Sequence, residues 1–187
     1  MSPTRLIQGS GMEVLLTAGE IRAKVVEVAA QIDRDYAGKD PMLLCILRGG
    51  VIFLADLMRA LSIPHTVDFM AVSSYGAGAR KSSGQVRITF DLASSITGRD
   101  VLVVEDIIDS GRTLASVLEL LRARHPQSLE VCVLLDKTER REVDIPIRYR
   151  GFIIPDRYVF GYGLDIDEYH RNLPYVAAVL EKPENPA

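Results

Sequence analysis

The sequence predicts an α/β fold with a mostly parallel central sheet flanked by helices. Three apolar runs of strand length, Met42–Leu47, Val101–Val104 and Leu129–Leu135, are continuous rather than alternating, as expected for strands covered on both faces. Segments with apolar residues at helical spacing lie between them. In such alternating folds, ligands bind beyond the carboxyl ends of the strands, near a topological switch point.

Local signals justify each element in turn. Thr17 and Glu20 have the spacing of a capping box, which predicts the start of a helix. Ser73–Gln85 contains glycines, serines and charges with little apolar content, so it predicts a mobile loop whose length calls for a functional reason. The other predicted elements are a helix over Val51–Leu61, strands over Thr66–Val72 and around Val86–Phe90, a polar turn over Glu105–Arg112, a helix over Thr113–Arg124, and a bent or edge strand over Phe152–Phe160.

Composition excludes several classes of protein. The chain has 187 residues, 48% apolar and 25% charged, which suits a single soluble globular domain. A net charge of −3 argues against non-specific nucleic-acid binding. No apolar run approaches the roughly 20 residues of a membrane span, so no membrane association is expected. The two cysteines, Cys45 and Cys132, lie in strand-like runs and are expected to be buried thiols, and the expected location is cytoplasmic.

One segment carries most of the chemical information. Val101–Val104 is followed by two acids, Glu105 and Asp106, and then by Asp109-Ser-Gly-Arg-Thr113 at the predicted start of a helix. Gly111 permits a tight turn, and the amides at a helix start attract anions such as phosphate. As isolated residues, Asp109–Gly111 would more simply be a turn and helix cap beside surface acids. The ordered combination favours a phosphate site instead.

Carboxylates beside a phosphate site need an explanation, because like charges repel. They are useful if the ligand also offers hydroxyl groups or a metal ion a short distance away. A ribose 5′-phosphate meets this requirement, with its phosphate on Ser110–Thr113 and its hydroxyl groups facing Glu105 and Asp106. A pyrophosphate group carrying Mg²⁺ would give these acids a second use.

The segment resembles the phosphoribosyl-pyrophosphate signature of the type I phosphoribosyltransferases. The chain from about Leu44 to Arg171 is similar to the hypoxanthine (hypoxanthine-guanine) phosphoribosyltransferase branch of that family. Four further blocks match in the right order: Leu44-Cys-Ile-Leu-Arg-Gly-Gly50, Ser73-Ser-Tyr75, Leu134-Leu-Asp-Lys137 and Tyr158-Val-Phe-Gly-Tyr-Gly-Leu-Asp165. The resemblance implies transfer of a phosphoribosyl group from phosphoribosyl pyrophosphate to hypoxanthine or guanine, with release of pyrophosphate.

The resemblance also implies roles for residues on the donor side. Glu105 and Asp106 would hold the ribose hydroxyls, directly or through Mg²⁺, and Asp165 would be a further metal contact. The 5′-phosphate would bind to Asp109, Ser110, Gly111, Arg112 and Thr113. Pyrophosphate would bind to Arg48 and Gly49, through the backbone of the Leu47-Arg48 peptide, and to Arg171. Some family members have Lys at the position of Arg48, which leaves the role of its side chain open.

On the purine side, the resemblance makes Asp109 the general acid or base that exchanges a proton with purine N7. Lys137 would donate to the 6-oxo group and so select oxopurines, and Tyr158 would stack on the base. Val159 would offer backbone groups to the purine edge, together with backbone near Asp165. Ser74 and Tyr75 match the lid motif, which would exclude water from the reactive sugar carbon.

At the level of the whole protein, the resemblance implies a single phosphoribosyltransferase domain over residues 1–187. Its core would span about 15–140, and a small hood would come from the N-terminal segment and about 141–187. A homodimer or homotetramer is the usual state of the family. Two alternatives stay open at this point: a regulator that keeps the fold as an effector sensor, and a sister enzyme for another base such as xanthine or a pyrimidine.

Overall fold

The computed structural model describes residues 11–74 and 86–180. Within these ranges the chain forms nine strands and three α-helices. In chain order they are β1 (Met12–Leu16), α1 (Ala18–Asp35), β2 (Met42–Leu47), α2 (Val51–Ala60), β3 (Thr66–Ser74), β4 (Val86–Phe90), β5 (Asp100–Ile108), α3 (Arg112–Arg122), β6 (Ser128–Asp136), β7 (Tyr149–Ile153), β8 (Val159–Phe160) and β9 (Val176–Val179). The predicted alternation of strands and helices is therefore present.

Six strands form the central sheet, in the order β4-β3-β2-β5-β6-β7. Five neighbouring strands, β3, β2, β5, β6 and β7, are parallel, and β4 joins β3 antiparallel at one edge. The chain adds β3 on one side of β2 and later adds β5 on the other side. The strand order therefore reverses between β2 and β5, and the carboxyl ends of these two strands border the switch point where α/β sheets bind ligands.

Helices cover both faces of this sheet. One core cluster joins Val25 of α1 and Leu57 of α2 to Val104 of β5, and a second joins Leu118 of α3 to Val103. Successive residues of a strand point to opposite faces, so Val103 and Val104 belong to different clusters. This burial on two faces is the physical reason for the continuous apolar runs in the sequence, and the predicted fold class is confirmed.

The start of α1 follows the predicted capping box. The Glu20 amide donates to the Thr17 hydroxyl at 3.3 Å, and the Thr17 amide donates to the Glu20 carboxylate at 2.8 Å. These bonds satisfy amides that the first turn of a helix leaves unpaired. Hydrogen bonds from the Thr17 hydroxyl and the Thr17 amide to the Glu20 carboxylate hold the pKa of that carboxyl below its ordinary value.

The predicted polar turn over Glu105–Arg112 is wrong in its first half. Strand β5 continues through Ile108, because it pairs with β6 as far as the register Ile108↔Asp136. Glu105 and Asp106 therefore lie on a strand, where pairing with a neighbour fixes the backbone. Local polarity suggested a turn, and the non-local pairing overrides it.

The predicted single strand over Phe152–Phe160 is also wrong. The chain forms β7 and β8 there, separated by a break that contains Pro155, and the two strands belong to different sheets. Strand β8 joins β9 and β1 in a small antiparallel sheet of three strands, two of which the sequence did not predict. Leu16 and Val176 of this small sheet belong to the same core cluster as α1 and α2. The division into core and hood stays a prediction.

Three further expectations concern burial, membranes and the lid. Cys45 and Cys132 are buried free thiols, as predicted, and burial raises the pKa of Cys45 to about 12. Among the helices of the described ranges, none has the length and apolar character that a membrane crossing requires. Ser74 is the last residue of β3, whereas its predicted lid partner Tyr75 lies outside the described residues.

Candidate active site

The loops that follow β2 and β5 meet at one edge of the central sheet. The two strands are parallel neighbours, with the register Cys45↔Val104 close to their carboxyl ends. An added Cβ on Gly49 would lie only 1.6 Å from Asp106 Oδ2, so the backbone of the β2 loop rests directly on that carboxylate. The structure therefore brings together Gly49, predicted to bind pyrophosphate, and Asp106, predicted to face the ribose.

The loop between β5 and α3 has the backbone geometry predicted for an anion cradle. Gly111 has φ +83°, a left-handed conformation that glycine adopts without strain, and α3 begins at the next residue. Gly111 is the N-cap residue of α3 and has no side chain to cap the helix, so the first turn presents backbone amides that suit an anion. The Ser110 hydroxyl lies 3.4 Å from the Arg112 amide, and the guanidinium of Arg112 pairs with Glu142. The backbone of Arg112 therefore faces the cradle while its side chain is held elsewhere.

The segment after β6 is hydrogen-bonded to this loop and packs against it. The amides of Glu142 and Val143 donate to the Ser110 carbonyl at 2.9 and 3.2 Å. An added Cβ on Gly111 would meet the Val143 carbonyl at 3.1 Å and the Ile145 side chain at 3.0 Å. A larger residue at position 111 would therefore push the cradle away from its support.

Two carboxylates lie beside the cradle in a desolvated environment. Burial, together with the neighbouring charge of Asp106, raises the pKa of Glu105 well above its ordinary value. Burial raises the pKa of Asp106 to about 6, although backbone amides and the Arg171 charge oppose the shift. Asp106 Oδ1 also accepts a hydrogen bond from the Ile107 amide at 2.8 Å. Two adjacent carboxyl groups of this kind are suited to the hydroxyl groups of a ligand or to a cation.

The loop after β8 closes over the β2 loop. Gly163 has φ +102°, and an added Cβ there would lie 2.1 Å from the Gly49 carbonyl oxygen. Arg171 donates to the Gly163 carbonyl at 2.8 Å and pairs with Asp165 at 2.7 Å. Asp165, predicted as a metal contact, thus lies in the same cluster as the predicted pyrophosphate clamp Arg171.

Glu168, which the sequence did not single out, connects the two predicted pyrophosphate arginines. Its carboxylate pairs with Arg48 through one oxygen and with Arg171 through the other, the latter at 3.3 Å. Its backbone has φ +71°, and its amide donates to Asp165 at 2.8 Å. Both arginines are thus neutralised by an acid of the same chain. The Leu47–Arg48 peptide bond is cis.

A cavity of about 590 Å³ lies beside Arg140, whose guanidinium contacts Asp109 at the start of the cradle loop. Its lining residues are Arg140, Asp156, Arg157, Tyr158 and Val179. Tyr158 is 60% exposed, which leaves it accessible for stacking on a ligand, and the next residue, Val159, is buried in β8. A volume in the range of small-molecule sites, with an aromatic wall and charged groups, is suited to a planar heterocycle. A second cavity of about 360 Å³, between α1 and α2, contains none of the predicted site residues.

Four charged residues beside this cavity form a chain of alternating sign. Arg140 Nε lies 3.0 Å from Asp109 Oδ1, Arg140 Nη1 lies 3.4 Å from Asp156 Oδ1, and the buried Lys137 Nζ lies 3.7 Å from the same Asp156 oxygen. The Asp109 and Asp156 carboxylates raise the pKa of the Arg140 guanidinium. The structure therefore links the predicted acid–base residue Asp109 to the predicted oxo-group donor Lys137 through two residues that sequence reasoning missed.

The missed residues left only a weak signal in the sequence. Arg140 follows Lys137 by three positions, Asp156 precedes Tyr158 by two, and Glu168 lies three positions from both Asp165 and Arg171. Charged residues in loops are usually solvated, so proximity in sequence to a predicted site residue was the only available hint. Their spatial convergence required the folded chain.

A family comparison agrees with this geometry. The family model for the phosphoribosyl transferase domain matches residues 12–168, which is most of the chain. The chain belongs to the phosphoribosyltransferase family. The matched range includes both loops at the switch point, the 590 Å³ cavity wall at Tyr158, and Asp165.

Curated relatives of this phosphoribosyltransferase are named for purine substrates. The hypoxanthine phosphoribosyltransferase of Salmonella typhimurium is 48% identical over 171 residues, covering 90% of this chain and 96% of the relative. The hypoxanthine-guanine phosphoribosyltransferase of Mycobacterium avium is 47% identical over 183 residues, covering 95% of this chain and 90% of the relative. The predicted resemblance to this branch, and the prediction that the chain is a transferase, are confirmed.

A solved structure supports the same conclusion for the fold of this phosphoribosyltransferase. The crystal structure of a hypoxanthine phosphoribosyltransferase from Staphylococcus aureus superposes with a TM-score of 0.89 at 43% sequence identity. The superposition covers 96% of this chain and 97% of the other. The predicted type I phosphoribosyltransferase fold is therefore confirmed.

Proposed function

We propose that this phosphoribosyltransferase moves the 5-phosphoribosyl group from phosphoribosyl pyrophosphate to hypoxanthine, guanine or both, forming IMP or GMP. The observation that carries the proposal is an amide cradle at the start of α3, next to the desolvated carboxylates Glu105 and Asp106. A phosphate suits the cradle, and ribose hydroxyls suit the carboxylates. The names of the relatives supply the purine substrates.

The chemistry assigned to the purine side is a nucleophilic substitution with proton transfer. Purine N9 forms a bond to ribose C1, the C1–O bond to pyrophosphate breaks, and the electron pair leaves with pyrophosphate. Asp109 accepts the proton that N7 loses, and Lys137 donates a hydrogen bond to the 6-oxo group. Tyr158, which lines the cavity, stacks on the base. The resemblance assigns Val159 and the backbone near Asp165 to the edge of the purine.

The phosphoribosyl pyrophosphate donor is held by the loops that follow β2, β5 and β8. Asp109, Ser110, Gly111, Arg112 and Thr113 surround the 5′-phosphate, with Arg112 contributing its backbone because its side chain pairs with Glu142. Arg48, Gly49 and Arg171 bind pyrophosphate. Ser74 and Tyr75 act in the lid that excludes water from the reacting carbon.

The carboxylates of the proposed site are suited to Mg²⁺. Among the described residues, no group of three or more His, Cys, Asp or Glu side chains is arranged to hold a metal ion. Mg²⁺ nevertheless needs only one or two protein carboxylates when the substrate supplies further oxygens. Glu105, Asp106 and Asp165 are the residues that would hold it, and when bound it neutralises the charge of the departing pyrophosphate.

A direct assay tests the proposal. Phosphoribosyl pyrophosphate, Mg²⁺ and hypoxanthine are mixed with the protein, and release of pyrophosphate and formation of IMP are followed together. Parallel reactions contain guanine, xanthine, adenine or uracil. We expect release with hypoxanthine or guanine and little with adenine, because the Lys137 donor would then face an amino group. Release that requires xanthine or a pyrimidine would contradict the proposed substrate.

We expect the protonation of Asp106 to make the reaction with phosphoribosyl pyrophosphate dependent on pH. With a pKa of about 6, Asp106 loses its negative charge as the pH falls from 7.5 to 5. A protonated acid no longer attracts a cation, so we expect kcat/KM for phosphoribosyl pyrophosphate to fall about tenfold over this range. The 5′-phosphate of the donor also titrates near pH 6. Asp106→Asn separates the two effects, since it should flatten the profile; an unchanged profile would contradict a role for Asp106.

Glu168 competes with pyrophosphate for the same two arginines. Glu168→Gln removes this charge, so we expect pyrophosphate to inhibit the variant about two- to fivefold more strongly, the scale of exposed ion pairs. The inhibition constant of pyrophosphate measures the effect. Glu27→Gln, which removes an exposed acid paired with Lys24 on α1, is the matched control. Weaker inhibition of the Glu168 variant would show that Glu168 arranges the arginines rather than competing for them.

We also propose that the protein is a homodimer or homotetramer and that it is cytoplasmic. The family resemblance supports both. Sedimentation of the purified chain measures the oligomeric state.

A further inference from the structure

We propose that Arg140 is a positioning residue for the transfer reaction, holding Asp109 against the edge of the purine on which N7 and the 6-oxo group lie. The inference rests on the proposed function, because it assigns Arg140 a task in that reaction. It extends the function to a residue that neither the sequence motif nor the family resemblance includes.

The backbone around Arg140 is fixed against the strand end that carries Asp109. The Lys137 amide donates to the Ile108 carbonyl at 3.0 Å, one residue before Asp109. On the far side of Arg140, the Glu142 amide donates to the Ser110 carbonyl at 2.9 Å, one residue after Asp109. The segment that carries Arg140 is therefore bonded to the loop on both sides of Asp109.

A buried ion pair strengthens this support. Asp136 is fully buried at the end of β6 and pairs with Arg141, the neighbour of Arg140. Asp136 also lies 2.9 Å from the Arg150 guanidinium. A buried carboxylate that keeps two arginine partners holds its segment in place, because losing them would leave an uncompensated charge. The short 3-10 turn over Thr138–Arg140 follows directly.

The side chain of Arg140 makes the contact that matters chemically. Its Nε lies 3.0 Å from Asp109 Oδ1, and its Nη1 reaches Asp156 at 3.4 Å, so two carboxylates share one planar guanidinium. Asp109 is half exposed and would otherwise turn freely between rotamers. The Arg140 contact restricts it, and general-base efficiency depends on hydrogen-bond reach to the proton.

Substrate geometry explains why the link continues to Lys137. Purine N7 and the 6-oxo group are neighbours on one edge of the ring. The groups assigned to them, Asp109 and Lys137, must therefore converge on that edge. Asp156 lies 3.7 Å from Lys137 Nζ and also contacts Arg140, so it lies between the two cations. Because Arg140 contacts Asp109, this arrangement sets the separation between Asp109 and Lys137.

A double-mutant cycle tests the inference on the full-length enzyme. The four proteins are wild type, Arg140→Gln, Asp109→Asn and the double variant, each assayed for kcat and for KM of phosphoribosyl pyrophosphate. We expect Arg140→Gln to lower kcat about 5- to 20-fold, between the effects of an exposed ion pair and of a bond to a charged group. KM for the donor should change less than about twofold, since the cradle amides do not involve the side chain.

The cycle distinguishes action through Asp109 from a general structural effect. In the Asp109→Asn background, Arg140→Gln should change kcat less than about twofold, because its target is gone. Arg140→Lys should recover part of the loss, since it keeps the charge but not the fork. Arg124→Gln, which removes an arginine paired with Asp91 at the far end of α3, should leave kcat unchanged. Thermal unfolding of all variants confirms that they are folded.

The contrary outcomes are separable. A loss of the same size in both backgrounds, an unchanged kcat in Arg140→Gln, or a rise in donor KM that accounts for the whole loss would each overturn the inference. If wild-type protein released no pyrophosphate with any oxopurine, the proposed function would fail, and the inference with it. An active wild type with an additive cycle overturns the inference alone.

Discussion

Asp109→Asn is expected to lower kcat about 10²- to 10⁴-fold, the usual contribution of a positioned general acid or base. Asparagine has nearly the same shape and keeps the oxygen that faces Arg140, but it cannot accept the proton that N7 loses. The substitution leaves in place the backbone amides proposed to bind the 5′-phosphate and the carboxylates of Glu105 and Asp106. The KM for phosphoribosyl pyrophosphate should therefore change little, and the loss should appear in turnover.

Steady-state kinetics at saturating hypoxanthine, together with equilibrium binding of the donor, measures this split. Ser94→Ala, on the exposed loop after β4, serves as a control for handling and folding. Undiminished turnover of Asp109→Asn would rule out the acid–base role. A loss confined to donor affinity would instead indicate that Asp109 only caps the cradle.

Gly163→Ala is expected to lower kcat/KM for phosphoribosyl pyrophosphate by about 10²-fold, because a displacement of roughly 1 Å in a binding loop has that effect. The new Cβ would lie 2.1 Å from the Gly49 carbonyl, and neither backbone has a flexible side chain to move aside. The loop after β8 must then separate from the loop after β2. Arg171 and Arg48, which we propose bind pyrophosphate from these two loops, would move apart.

Gly98→Ala provides a matched control. Gly98 also has positive φ, at +71°, but an added Cβ there would meet no atom within 4 Å. It precedes β5 and so lies at the opposite end of that strand from the site. Both variants carry the strain of a left-handed alanine, about 1 kcal/mol or more, so both should lower the melting temperature. Only Gly163→Ala should lose activity; equal activity in the two variants would contradict the importance of the loop contact.

Local sequence predicted the backbone of the proposed cradle well. The apolar run Val101–Val104, the acids after it, and Gly111 before a helix are consecutive, and each depends on short-range physics: burial of a strand, charge at a strand end, and the freedom of glycine at φ +83°. The capping box at Thr17 is similarly local. In these places a few adjacent residues determine the structure.

Contacts between distant parts of the chain were not predictable in the same way. Strand β5 extends to Ile108 because β6 pairs with it, and β1 forms because β9, more than 150 residues later, supplies its partner. The register Met12↔Val179 cannot be read from either segment alone. Strand pairing between distant segments is a property of the whole fold.

The amino-acid sequence by itself determined the α/β class and the loop with its two preceding acids that we propose as the anion cradle. The tertiary structure alone decided that Arg140 contacts Asp109, that Asp156 lies between Arg140 and Lys137, and that Glu168 pairs with both Arg48 and Arg171. The physical reason is the separation along the chain over which each interaction acts. Burial and backbone preferences act between neighbours in sequence, whereas an ion pair depends on where the sheet brings separate loops together.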